Sequence, residues 1–107
     1  MFSIYEIRIL EVILEHMEKY HTTPSLTQIA EKVYDDSTKK TAVHYHVEAL
    51  RDAGVISDAP ELRGRIALND PEAVKQQIEH DRAIYAAEAD MKARRQREKV
   101  HEDDEGG

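Results

Sequence analysis

Three stretches of helical periodicity fall within the first 53 residues, each opened by a residue that caps helix N-termini. This punctuation constrains the fold more than any other feature of the sequence. In the first stretch Ile7, Leu10, Leu14 and Met17 recur at helical spacing, Ile9 and Ile13 widen the stripe, and Glu6, Glu11, Glu15 and Glu18 fill the opposite side. Ser3 and Glu6 stand three apart as a capping box, which predicts a helix over 4–20. Ser25 and Gln28 repeat the device ahead of Leu26, Ile29, Ala30 and Val33, predicting a second helix of about nine residues. After the turn-favouring run Tyr34-Asp35-Asp36-Ser37, Val43, Val47 and Leu50 mark a third helix, roughly Thr38 to Ala53. Gly54 ends it, because glycine readily takes the left-handed conformation common at helix C-termini.

Val55–Ser57 and Arg65–Leu68 read as two short strands separated by a polar loop with Pro60 and Gly64, and a small hairpin is the simple outcome. Asp70 then offers an N-cap and Pro71 a first helical residue. Nothing interrupts a helix from there to about Val100, a span of roughly 45 Å. Its apolar content is thin: Val74, Ile78, Tyr85 and Met91. Such a seam needs a partner to be buried. Pairing with a second copy is the preferred reading, and folding back onto its own domain is the rival. The acidic segment 101–107 is expected to be disordered. The fold class is therefore mostly α with a small β-hairpin, divided into a domain over 1–69, a dimerising or docking helix over 70–100, and a tail.

The chain has 107 residues, 35% of them charged, with a net charge of −7 and no cysteine. It has room for one small domain and an appendage. The absence of thiols removes disulfides and thiolate metal sites and fits a reducing, cytoplasmic setting. The N-terminus has neither the basic start nor the long apolar run of a signal peptide, and no window is apolar enough to span a bilayer. No phosphate-cradling glycine loop, HExxH or nucleophile elbow occurs, so the expectation is a protein that is not an enzyme and needs no cofactor. His44 and His46 point about 200° apart on a helix and do not form a metal pair.

The order of three helices and a hairpin is that of a winged helix-turn-helix. Its residues run Thr23-Pro24-Ser25-Leu26-Thr27-Gln28-Ile29-Ala30, then Thr41-Ala42-Val43-His44-Tyr45-His46-Val47-Glu48-Ala49-Leu50, then Gly54-Val55-Ile56 and Arg63-Gly64-Arg65-Ile66-Ala67-Leu68. This resembles the DNA-binding domain of the LexA repressor family over residues 4–69. The family's pattern there is Pro-Ser-x-x-Glu-Ile-Ala, Val-His-x-His-Leu-x-x-Leu and Gly-x-Ile. The segment between Val33 and Val43 is about two residues longer than the family's turn, and the family's self-cleaving domain is absent from this sequence. The resemblance implies a sequence-specific, repressor-like regulator that binds double-stranded DNA with its third helix in the major groove.

Matching that motif puts Lys39, Thr41, His44 and Tyr45 where the family reads base edges or adjoining phosphates. Lys39 and Lys40 suit phosphates, while Thr41, His44 and Tyr45 suit bases. Arg63 and Arg65 flank Gly64 at the hairpin, where a close backbone approach to DNA is possible, although a solvated turn has the same composition. Residues 1–70 hold eight basic and twelve acidic residues, Glu48 and Asp52 among them on the reading side. DNA affinity must then come from a local patch and depend strongly on salt. The acidic balance motivates the alternative, a winged-helix module that binds a protein partner in place of DNA. The run Lys92 to Lys99 suits phosphates, an acidic partner or a solvated face.

Overall fold

The computed structural model describes residues 1–59 and 65–106. Helix α1 spans Ile4–Tyr20 and α2 spans Leu26–Tyr34. Both capping boxes form: Ser3 Oγ accepts the Glu6 N–H while Glu6 takes the Ser3 N–H, and Ser25 and Gln28 do the same. A 3-10 turn, Ser37–Lys39, leads into α3, Lys40–Asp52. Strands β1, Ile56–Ala59, and β2, Arg65–Leu68, form an antiparallel pair with Ile56 opposite Leu68 and Ala59 opposite Arg65. Helix α4 covers Pro71–Gly106.

Ile9, Leu10 and Ile13 of α1 meet Ile29 of α2 and Val43, Val47 and Leu50 of α3 in a fully closed core. Leu14 and Met17, members of the same stripe, lie half-buried at its margin. The hairpin closes one end through Ile56, Ile66 and Leu68. Gly54 turns the chain from α3 into β1 at φ +77°, the conformation the sequence assigned to it. Asn69 pins the base of the hairpin by donating to the Gly54 carbonyl at 2.7 Å and accepting from the Ser57 hydroxyl at 2.6 Å.

Three boundaries differ from expectation. The third helix begins at Lys40 rather than Thr38, because Asp36 captures both the backbone N–H and the hydroxyl of Thr38, at 2.9 and 2.6 Å. This holds the preceding residues in the tighter 3-10 turn. Strand β1 starts one residue later and ends two residues later than Val55–Ser57, since its extent is set by pairing with β2. Helix α4 runs to Gly106, past the Val100 at which the sequence reading ends it. No proline or glycine stands before Gly106 to stop the helix.

The first half of α4 folds back onto its own domain. Val74 and Ile78 join the core, and Tyr85 packs at its edge. Asp81, fully buried, accepts the Phe2 N–H and a Gln77 side-chain N–H, both at 2.8 Å. Tyr85 donates to the Phe2 carbonyl at 2.7 Å, and Arg82 pairs with Glu11 of α1. Most of the seam expected to pair with a second copy is thus consumed within the chain. Met91, its last member, is 53% exposed. Among the described residues no helix is long and apolar enough to cross a membrane.

Candidate nucleic-acid interface

The periodicity that buries Val43, Val47 and Leu50 turns the other side of α3 outward. Lys39 closes the 3-10 turn, Lys40 begins α3, and Thr41, His44 and Tyr45 follow, all five exposed. Tyr45 is 73% exposed. The 3-10 turn delivers both lysines to the mouth of the helix. Arg65 is the first residue of β2, paired across the hairpin with Ala59. Arg63 lies outside the described residues. Five of the seven candidates therefore share one continuous surface.

Asp36, which builds the approach to that surface, has its carboxyl held below the usual carboxylate range. The Thr38 hydroxyl is the main cause, followed by the Thr38 N–H, and Lys39 adds a smaller contribution. A depressed folded-state pKa gives stability that is complete above the ordinary carboxylate value and is lost as pH falls through the lowered one. Acidification below about pH 4 is therefore expected to loosen the 3-10 turn while the core persists. Faster exchange of the Thr38 amide than of core amides in that range is the expected result, and uniform protection would contradict it.

One of the two acidic residues of α3, Glu48, is less repulsive to an anion than the sequence implied. Arg51 pairs with Glu48 and also reaches Asp58 of β1 at 2.8 Å, tying α3 to the hairpin. These contacts push the guanidinium pKa above its ordinary value, with the Glu48 hydrogen bond the largest cause. His44 Nε2 also lies 3.8 Å from Glu48. The sequence contains the i, i+3 spacing of Glu48 and Arg51, yet the bridge to Asp58 depends on where the hairpin folds.

A row of rings supports the outer face. Tyr5 of α1 stacks on Tyr34 of α2 with centroids 5.2 Å apart and on His46 of α3 at 6.0 Å. His46 in turn meets the Tyr45 ring edge-on at 5.5 Å. Burial, and then the neighbouring Tyr5, raise the Tyr34 pKa. His46 is thereby engaged with rings at the core edge, and among the described residues no group of three His, Asp or Glu side chains is placed to hold a metal. Tyr5 and Tyr34 gave no signal in the sequence, because their contact joins two helices.

Comparison of the chain with protein families, with characterised proteins and with solved structures finds no match. The functional reading rests on the residues themselves.

Proposed function

We propose that the chain is a winged helix-turn-helix regulator that binds double-stranded DNA sequence-specifically in the cytoplasm and acts by occupancy, as a repressor does, rather than as an enzyme. The observation that carries this reading is the unbroken exposed surface of Lys39, Lys40, Thr41, His44 and Tyr45, backed by a helix whose other side is core. In this reading α3 enters the major groove. The lysines meet phosphates at its mouth, and Thr41, His44 and Tyr45 meet base edges. The hairpin, with Arg63 and Arg65 in its sequence, lies along the flanking backbone or minor groove. The resemblance of residues 4–69 to the LexA repressor DNA-binding domain supports the same assignment, and the Arg51 bridges moderate the charge that opposes it.

Selection of bound duplexes from a random DNA pool at about 50 and about 150 mM salt tests the proposal. Enrichment of a motif that weakens at the higher salt is the expected result. Recovery of DNA without a motif would refute sequence reading. No recovery at either salt would refute DNA binding and favour a protein partner for the same surface.

A further inference from the structure

Beyond Tyr85, α4 leaves its domain: among the described residues no later one belongs to the core, yet the helix continues to Gly106. A single polar helix has little stability of its own in water. From the docked half of α4 into this projecting part, Glu79, Ala83, Ala86, Asp90 and Ala93 follow one another at spacings of four and three and so share a face. At its docked end the same face opens into a groove between α1 and α4. Leu14 and Ile78 line this groove, and Glu15 and Glu18 of α1 and Glu72 and Glu79 of α4 stand around it.

We infer that the occupant of this groove is the projecting half of α4 from a second copy, so that two chains pair antiparallel about Ala86 and each fills the other's groove. The charges on α4 select this arrangement. Running outward along this face they read acidic at Glu72, basic at Lys75, acidic at Glu79, basic at Arg82, acidic at Asp90 and basic at Arg94. Within one chain Lys75 pairs with Glu72, Arg82 with Glu11 of α1 and Arg94 with Asp90, exposed pairs that a second copy can share. An antiparallel crossing at Ala86 sets Arg94 of one copy beside Glu79 of the other, and Arg82 beside Asp90. A parallel pairing in register would set Glu79 on Glu79 and Arg94 on Arg94. Self-complementary charge of this kind fixes orientation and register more than it adds affinity. Ala83, Ala86 and Ala93 let the two backbones approach closely, and the Leu14 and Ile78 floor offers the apolar contact. The contacts repeat about a two-fold axis, as a closed dimer requires.

Sedimentation of the full chain without DNA tests the inference independently of the DNA reading. At about 100 mM salt, where exposed charges a few ångströms apart still interact, the native chain is expected to sediment at twice 12.3 kDa. Glu79→Arg alone and Arg94→Glu alone are each expected to weaken self-association by at least about tenfold, because each places like charges together. An equimolar mixture of the two variants is expected to recover the dimer: the introduced arginine then faces the introduced glutamate, and the native pair survives at the other end. Both positions are exposed, and recovery in the mixture shows that both variants are folded. A native chain that stays at 12.3 kDa to about 1 mM, a range covering most specific pairs, would overturn the inference. So would single variants that dimerise as tightly as the native chain, or a mixture that fails to recover.

Discussion

Replacing Asp81 by alanine is expected to destabilise the chain by about 2–4 kcal/mol and to release α4 from the N-terminus. The side chain is fully buried and its carboxylate serves two donors, the Phe2 N–H and the Gln77 amide, at 2.8 Å each. A hydrogen bond to a charged group contributes roughly 1.5–3 kcal/mol, and the truncation also strands a backbone donor that water reaches poorly. Relief of the carboxylate's own desolvation offsets part of this sum, which is why the expected loss is smaller than two such bonds. Tyr85→Phe removes only the bond to the Phe2 carbonyl and is expected to cost about 1 kcal/mol. Urea denaturation measures both losses, and exchange of the Phe2 amide localises them. An Asp81→Ala chain within about 0.5 kcal/mol of the native one, the range of an ordinary surface substitution, would show that the clamp does not hold α4.

Asp81 also marks where sequence reasoning stops. A lone aspartate in a polar helix reads as a solvent-facing residue, and only the path of Phe2 across α4 makes it buried. The same limit applies to Arg51, whose bridge to Asp58 needs the hairpin in place, and to the Tyr5–Tyr34 stack, which needs α1 and α2 packed. Features written in local chain order were legible. The two capping boxes set the starts of α1 and α2, Gly54 turned the chain, and the period of Val43, Val47 and Leu50 placed Thr41, His44 and Tyr45 outside. The start of α3 was misplaced because a local competitor, Asp36, holds Thr38 in the 3-10 turn. For the α4 seam of Val74, Ile78 and Tyr85 the sequence reading prefers a second copy and keeps docking on its own domain as the rival, since the spacing alone serves either. The buried clamp on Phe2 decides for docking over its first half.

On the proposed DNA reading, truncating the outer face of α3 separates two kinds of contact. Tyr45→Ala or His44→Ala is expected to lower preference for the selected site over random duplex by about 5–150-fold, the range of one base contact worth about 1–3 kcal/mol. Binding to random duplex is expected to change little, because neither side chain carries a fixed positive charge. Lys40→Ala is expected to weaken all duplexes alike and to reduce the salt slope by about one. Tyr45 is the sharper probe: at 73% exposure it contributes little to the core, so its truncation tests the surface without testing the fold. Its ring is also held edge-on by His46, which limits the entropy lost when it meets a base. Competition binding with selected and random duplexes measures both quantities on one protein. Equal losses on the two duplexes for Tyr45→Ala and His44→Ala would mean that these residues meet phosphate or nothing at all. Site preference would then have to come from DNA shape, read through the hairpin and the lysines.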